Sequence, residues 1–518
     1  MSYANAFFSL EEFLQSNLDG LKNLQLLVGY QGFDETQISH LASALNQCSQ
    51  IENLELDLAQ NGINEEGITN ICQSLSKMTE LKSLNLNFTN NSIDQKKASI
   101  ISSIWTNYKN LQSLSIDLEL DLQDEECLNI QISKIEQCQQ IQKLSLKFWQ
   151  QDESKDQIKE HELQSLSSLI ANLKNLTNLE VSFNFIQVNI EIINLLATAL
   201  TQSKILSSLK IDLQDTKIQD QDITELTNSL PQLKNLKKLS LGIRQTQISS
   251  QGVRKLFQSL QKCINLNNFE FDMSYIQMLD NNQSQEPCLF LDLGQCINLK
   301  SLTLFNNGNY YSDGQVSGLG TCFSSLKNLT NLYLNLGDCN ICKVGIKNLS
   351  QYFGSCNNLE SLLIELSDNN IGDEGIIELV NELKNSVNLK NLQLYLRGCI
   401  QSKGVINLGQ SLQQFKNLSN LELDLSYNQI QDEGITQLFN DLSRSQQLSR
   451  LDFSAWDCGI TEEGANNIIL ALRNNFSIKD LKLELSGNGF NFEFFTKLSA
   501  RVRKIKQLVK LNFRIECY

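Results

Sequence analysis

Leucine and isoleucine recur along this chain in a phrase of the form Leu-x-x-Leu-x-Leu-x-Leu. Its seventeen copies begin at residues 21 (in a shortened form), 51, 81, 111, 141, 176, 206, 236, 266, 299, 329, 359, 389, 418, 448, 478 and 508. Thirteen of the sixteen gaps between these starts equal the thirty-residue step from 51 to 81, and the others are 35, 33 and 29. Within the phrase, apolar and polar residues alternate, which is typical of a strand with one buried face. The pattern therefore predicts about 17 repeats, each beginning with a strand.

The second half of the better copies predicts a helix. In one copy, Ile376, Leu379 and Leu383 are spaced to share one helical face. Acidic residues such as Asp373 come just before this face, where a carboxylate suits the positive end of a helix dipole. A glycine also recurs before the face, at Gly67, Gly252, Gly345, Gly375, Gly404, Gly434 and Gly464. Each repeat is therefore predicted to run strand, turn, helix and return loop.

The different widths of strands and helices predict the shape of the array. Strands in a sheet lie about 4.8 Å apart, whereas packed helices need roughly 10 Å. Because a straight stack cannot satisfy both spacings, we expect an α/β horseshoe with a parallel β-sheet on its concave face and α-helices on its convex face. Each repeat buries its apolar face only against its neighbours. Residues 21–518 are therefore predicted to form one continuous repeat domain.

Residues 1–20 precede the repeats and are predicted to form a capping helix over the first of them. Phe7, Phe13 and Leu18 are among the apolar residues spaced along this segment, and terminal repeats need such a cover. A helix lying on a membrane surface is the alternative. It is disfavoured because Glu11 and Glu12 are present and no basic residue occurs before position 22.

The repeat pattern resembles that of the leucine-rich repeats, and of the ribonuclease-inhibitor-like subgroup in particular. The long helical half and an Asn-x-Ile-x-x-x-Gly step match that subgroup. So does an alternation three residues past the last strand leucine, at Cys339, Asn369, Cys399, Asn428, Cys458 and Asn488. One extra alternating leucine, which lengthens the unit to thirty residues, departs from it. The resemblance implies the fold, but not one function, because the family includes enzyme inhibitors, GTPase activators, innate sensors and scaffolds.

Two irregular regions interrupt the array, near residues 141–175 and 266–328. The first carries five extra residues, and in the second the helical periodicity fades between about residues 279 and 320. Insertions in repeat proteins are confined to loops and often carry function. The alternative interpretation is that these repeats have diverged from the pattern at positions where the fold constrains the sequence weakly.

Composition narrows the choice of partners and of cellular location. The 518 residues include 58 acidic and 43 basic side chains, a net charge of −15 and a pI near 4.8. Nucleic acids and anionic membranes call for basic patches, so neither is expected as a partner. The start of the chain lacks the basic and apolar regions of a signal peptide, and no run of 18 apolar residues occurs. We therefore expect a cytoplasmic protein.

The sequence offers little for catalysis. Two histidines, His40 and His161, are the only ones in the chain, and neither lies in a zincin motif. Eight of the fourteen cysteines fall at two recurring repeat positions, where a small buried side chain fits. No phosphate-binding loop is present. We therefore expect no enzymatic activity, no cofactor and no metal.

The residues that alternate with the strand leucines form the candidate site, because they face the hollow of the predicted horseshoe. They include fourteen acids and six bases, punctuated by aromatic residues. The predicted partner-binding residues are Trp149, Arg244, Phe305, Tyr333, Glu365, Tyr395, Arg397, Glu422, Asp424, Asp452, Trp456 and Glu484. Exposed aromatic rings among charges are typical of interface hot spots. The alternative is that a solvated sheet face in an acidic protein is simply acidic.

These observations favour a non-enzymatic scaffold that binds a protein partner, expected to be basic, on its concave sheet. One alternative, which the family resemblance implies, is a regulator of another enzyme, either an inhibitor of a basic nuclease or an activator of a small GTPase. Another alternative is a structural subunit of a large assembly. The oligomeric state does not follow from the sequence.

Overall fold

The computed structural model describes residues 5–119, 126–149, 163–183, 186–276, 289–475 and 477–514. They belong to two compact units, residues 1–265 and 266–518. In each unit, parallel strands alternate along the chain with helices. This confirms the predicted α/β solenoid, whereas a single continuous domain over residues 21–518 stays a prediction.

The first unit runs from a two-residue strand to the ninth helix. Its strands are β1 Ala6–Phe7, β2 Asn23–Leu27, β3 Asn53–Asp57, β4 Ser83–Asn87, β5 Ser113–Glu119, β6 Lys143–Trp149, β7 Asn178–Ser182, β8 Ser208–Asp212 and β9 Lys238–Gly242. Its helices are α1 Leu10–Gln15, α2 Glu35–Leu45, α3 Glu65–Leu75, α4 Gln95–Ser103, α5 Cys127–Ile132, α6 Gln164–Asn172, α7 Ile190–Gln202, α8 Thr224–Ser229 and α9 Ser250–Leu260. Each strand pairs in parallel with the next one along the chain.

The second unit repeats this plan. Its strands are β10 Asn268–Asp272, β11 Ser301–Phe305, β12 Asn331–Asn335, β13 Ser361–Glu365, β14 Asn391–Tyr395, β15 Asn420–Asp424, β16 Arg450–Ser454, β17 Asp480–Glu484 and β18 Lys510–Arg514. Its helices are α10 Asp313–Ser325, α11 Lys343–Ser350, α12 Gly372–Leu383, α13 Ser402–Leu412, α14 Gln431–Leu442, α15 Glu462–Asn474 and α16 Phe492–Val502. The pairing is again parallel and sequential.

The strands follow the leucine phrase closely. Strands β2 to β18 each begin two residues after a predicted start. In β13, for example, Leu362 and Ile364 are fully buried under the helices, while Ser361, Leu363 and Glu365 are only partly buried. The first, third and fifth residues of each strand therefore lie on the side of the sheet away from the core, which we call the open face.

A ladder of asparagine side chains ties consecutive repeats together. Buried Asn369 donates from Nδ2 to the carbonyl oxygens of Leu366 in its own repeat, at 2.9 Å, and of Leu336 in the preceding one, at 2.7 Å. Its Oδ1 accepts from the backbone N–H groups of Cys339, at 3.1 Å, and Ile341, at 2.8 Å. One side chain thus satisfies buried backbone groups that the turns would otherwise leave unpaired.

Cysteine takes this position in the alternate repeats and makes the contacts to carbonyl oxygens, but not those to backbone N–H groups. The thiol of Cys399 contacts the carbonyl oxygen of Leu366 at 3.0 Å, and that of Cys458 contacts the carbonyl oxygen of Leu425 at 3.1 Å. A thiol is a weak donor and a weak acceptor, so it replaces the amide N–H bonds without replacing Oδ1. The Asn/Cys alternation in the sequence therefore records two types of repeat.

The recurring glycines lie where neighbouring repeats approach closely. Asp373 Oδ1 accepts from the backbone N–H of Gln401 at 2.7 Å, and a Cβ on Gly404 would lie 2.5 Å from the same oxygen. Likewise Asp432 accepts from the backbone N–H of Thr461, which precedes helix α15 of the next repeat, and a Cβ on Gly464 would collide with its carboxylate. Glycine is needed there because the carboxylate of the preceding repeat occupies the space of a side chain.

Helix α10 overlaps the end of the region where helical periodicity fades. Its thirteen residues include Gly318 and Gly320. A Cβ on Gly320 would collide with the ring of Tyr352, which follows α11. Tight packing against the neighbouring repeat thus explains the glycine at position 320, whereas Val316, Leu319 and Phe323 are buried at helical spacing. Residues 150–162, which contain the five extra residues, and the stretch 277–288 lie outside the described residues.

The segment before β2 contains a helix and a short strand. Helix α1 is six residues long and buries Leu10 and Phe13, whereas β1 pairs with β2. Phe8, next to this helix, is 64% exposed. The sequence pattern did not predict β1, because two residues are too few to show an alternation.

Candidate functional site on the open face of the second unit

Ten of the twelve predicted site residues lie in the second unit. The fifth strand positions hold Phe305, Glu365, Tyr395, Asp424 and Glu484, the third positions hold Tyr333, Glu422 and Asp452, and the residues two past a strand are Arg397 and Trp456. Arg244 follows β9 in the first unit. Trp149 ends β6, and its side chain lies outside the described residues. The structure therefore gathers ten of the residues in the second unit, on its strands and the turns that follow them.

The strand register sets these residues in rows across the sheet. Glu365 pairs with Tyr395, and Tyr395 pairs with Asp424, so the three are neighbours in the fifth-position row. In the third-position row, Glu422 pairs with Asp452. Adjacent strands lie about 4.8 Å apart. Residues from three successive repeats can therefore line one patch.

The aromatic side chains are held by neighbours in these rows. The rings of Phe305 and Tyr333 pack at 4.9 Å between centroids. The hydroxyl of Tyr395 donates to Glu422 Oε1 at 2.6 Å. These side chains are partly buried on the open face. Because both contacts cross between strands, the rings are positioned before any partner arrives.

Two further aromatic contacts lie in the turns that follow the strands. The guanidinium of Arg397 stacks over the ring of Tyr427, 4.1 Å from its centroid. Trp456 lies against the next repeat at Gly487, where a Cβ would be 2.6 Å from the indole Nε1. Trp456 is therefore only partly exposed and borders the sheet without lying on a strand.

The carboxylates of the two units differ in their partners. In the first unit, Lys210 lies 2.8 Å from Glu180 and Lys147 lies 3.4 Å from Asp117. In the second unit, the ion pairs of the described residues include a single open-face carboxylate, Asp452, whose Oδ2 lies 3.0 Å from Lys482 Nζ. Among the described residues, these distances thus place two open-face carboxylates in ion pairs in the first unit and one in the second.

Glu365 and Asp424 are held by the turns of their own repeats. Glu365 Oε1 accepts from the backbone N–H of Ser367 at 2.7 Å, and Asp424 Oδ1 accepts from that of Ser426 at 2.9 Å. Neither takes part in an ion pair with a described residue. Both carboxylates are therefore oriented but keep their negative charge uncompensated.

Burial and neighbouring acids shift the proton equilibria here. Burial raises the pKa of the Glu365 carboxyl, as do the negative charges of Asp424 and Asp368. Burial also raises the pKa of Tyr333, with a contribution from Glu365, and that of Tyr395, with contributions from its bond to Glu422. The two phenols therefore stay protonated, and a cation bound beside Glu365 would lower the pKa of its carboxyl by stabilising the charged form.

The cysteines of the turns lie in the core, as predicted. Cys339 and Cys458 are fully buried, and burial raises the pKa of each thiol to about 12. Cys339 and Cys342 form the C-x-x-C of the sequence, and Cys342 is partly exposed. The buried thiols are held protonated, which is unsuited to a nucleophile or a metal ligand.

Comparison with known proteins adds no relative. No protein-family model matches this chain, and no curated protein is significantly similar to it. Within the described ranges, no group of three histidine, cysteine or acidic side chains is placed to hold a metal ion. No helix of that part of the chain is long and apolar enough to cross a bilayer.

Sequence reasoning missed two side chains of this surface. Leu363 lies partly exposed between the strands of Tyr333 and Tyr395 in the sheet. Tyr427 is 45% exposed and receives Arg397. The alternation itself places Leu363 on the open face, but the predicted binding residues were only aromatic or charged. Tyr427 lies in a turn at φ +59°, where the strand alternation carries no signal.

Proposed function

We propose that this chain is a non-enzymatic interaction protein that holds a basic protein partner on the open face of its second unit. The observation that carries the proposal is the pair of uncompensated carboxylates, Glu365 and Asp424, on either side of Tyr395. Oriented aromatic rings among such charges are typical of interface hot spots. The negative potential would steer a basic partner to this face and would weaken with salt.

The test uses a fluorescent lysine-rich peptide as the probe and a glutamate-rich peptide of equal length as its counterpart. We expect the wild-type chain to bind the basic peptide alone, with an affinity that falls as salt is raised. The double variant Glu365→Lys, Asp424→Lys should lose at least about tenfold in affinity. Its matched control is Glu382→Lys, Glu433→Lys, which makes the same charge change on helices α12 and α14 of the same unit, where neither carboxylate forms an ion pair with a described residue.

Two results would overturn the proposal. One is equal loss in the two double variants, since this would reduce the attraction to net charge. The other is wild-type binding of the basic peptide that does not respond to salt. Circular dichroism of each variant verifies that the unit is folded. If a variant does not fold, the salt dependence of wild-type binding decides whether the proposal stands.

We also infer that the repeats belong with the ribonuclease-inhibitor-like subgroup of leucine-rich repeats. The alternation of Asn369 and Asn428 with Cys399 and Cys458 supports this, because each residue type makes its own set of turn contacts. The longer repeat unit remains a departure from that subgroup.

A further inference from the structure

The fifth-position row places one aromatic ring between two acids. Glu365, Tyr395 and Asp424 are direct neighbours on β13, β14 and β15. At about 4.8 Å per strand, the two acidic residues stand roughly 10 Å apart with the tyrosine midway. Leu363 and Gln393 occupy the third positions of β13 and β14 beside them. The group thus has a ring in its centre, a carboxylate on each side and an apolar neighbour.

Each member of this group is held in place by the protein. The bond from its hydroxyl to Glu422 fixes the Tyr395 ring, and the turn serines fix the two carboxylates. Ser367, which donates to Glu365, also accepts from the backbone N–H of Arg397 through its hydroxyl, at 3.2 Å. A guest would therefore meet a preorganised surface, which limits the entropy lost on binding.

The shape of this group favours a planar cation over a spherical one. A guanidinium stacks flat on an aromatic ring while its edge donates to carboxylates, whereas an ammonium is a compact, strongly hydrated point charge. The protein itself makes such a contact one step away, where Arg397, two residues past Tyr395, stacks on Tyr427. Arg397 is thus engaged by Tyr427. Among the ion pairs of the described residues, none joins an arginine to Glu365 or Asp424.

We propose that Glu365, Tyr395 and Asp424 form a subsite for one arginine side chain of the partner, with the guanidinium over the Tyr395 ring and its N–H groups directed to the two carboxylates. The proposal rests on the proposed function, since it specifies which residue of a basic partner the open face selects. Arginine would be preferred to lysine at this position, and the rest of the face would attract either.

The experiment compares two fluorescent peptides of equal length and charge, one with lysine and one with arginine at every basic position. We expect the wild-type chain to bind the arginine peptide roughly tenfold more tightly. Tyr395→Leu should abolish this preference, whereas Tyr395→Phe should retain it because the ring remains. Glu365→Gln should reduce the preference for arginine. Glu484→Gln is a matched charge change two strands from Asp424 on the same face, and it should weaken the binding of both peptides equally.

The outcomes separate this subsite from the proposed function. If both peptides bind equally and lose affinity with salt, the basic-partner function stands and the arginine subsite is refuted. If neither peptide binds, the proposed function itself fails. A preference that survives in both Tyr395→Leu and Glu365→Gln would also refute the subsite. If Tyr395→Leu does not fold, Glu365→Gln against Glu484→Gln decides the matter.

Discussion

Replacing Asn369 by alanine is expected to destabilise the second unit by about 3 kcal/mol. The buried amide donates two short hydrogen bonds to carbonyl oxygens, with a longer third contact to that of Ser367 at 3.2 Å, and accepts two from backbone N–H groups. A buried hydrogen bond contributes about 1 kcal/mol net, so four would give about 4 kcal/mol. Water entering the smaller side chain's space recovers part of this. The estimate is therefore about 3 kcal/mol.

Asn369→Cys should cost less than Asn369→Ala. In the alternate repeats, the thiol of Cys399 contacts a carbonyl of the preceding repeat at 3.0 Å. A cysteine at position 369 would keep a comparable contact but would leave the N–H groups of Cys339 and Ile341 without their acceptor. About half of the loss, roughly 1.5 kcal/mol, is expected.

Hydrogen exchange is the suitable assay, because a repeat array need not unfold in one step. Amides of residues 331–371 should exchange roughly a hundredfold faster in Asn369→Ala, since about 1.4 kcal/mol corresponds to a factor of ten. The control is Asn370→Ala, because the Asn370 side chain is exposed. Equal protection in the two variants would refute the idea that the asparagine ladder holds the repeats together.

Two other substitutions test the packing and the electrostatics of the second unit. Gly404→Ala should destabilise by about 1–3 kcal/mol, because its Cβ would lie 2.5 Å from Asp373 Oδ1; chemical denaturation measures this. Glu365→Gln should raise the melting temperature at pH 7. Burial and Asp424 raise the pKa of Glu365 in the folded chain, so ionisation of this carboxyl costs stability as the pH rises. This gain should fade below the ordinary glutamate range near pH 4.3, where Glu365 is protonated in both states.

Each of these has a control. Gly314, in the first turn of α10, has only the Ser312 hydroxyl near the place of a Cβ, at 3.9 Å. Gly314→Ala should therefore stabilise by up to about 1 kcal/mol, and an equal loss at both glycines would contradict the close-approach argument. For Glu365→Gln, a melting-temperature difference that stays constant from pH 7 to pH 4 would show that its charge is not responsible.

The leucine period is sufficient to predict the strands. Strands β2–β18 each start two residues after a predicted phrase, because burial of alternate residues is a local property that repeats with the chain. The same period assigned Tyr395 and Asp424 to the open face. The repeat length is nearly constant, although it is one residue shorter between the strands of Tyr395 and Asp424, and this brings the two residues into one row.

The contacts between repeats depend on the three-dimensional packing. The glycine at position 404 was visible as a recurrence, but its reason is the Asp373 carboxylate that fills the space beside it. In helix α10, Val316, Leu319 and Phe323 are buried at helical spacing, but the close approach of Gly320 to Tyr352 is visible only in the packing. The bond from Tyr395 to Glu422, and the fact that Glu365 forms no ion pair with the described part of the chain, likewise depend on side-chain directions across strands. Periodicity records which residues are buried, whereas the pairing of charges is settled only where side chains from neighbouring repeats meet in space.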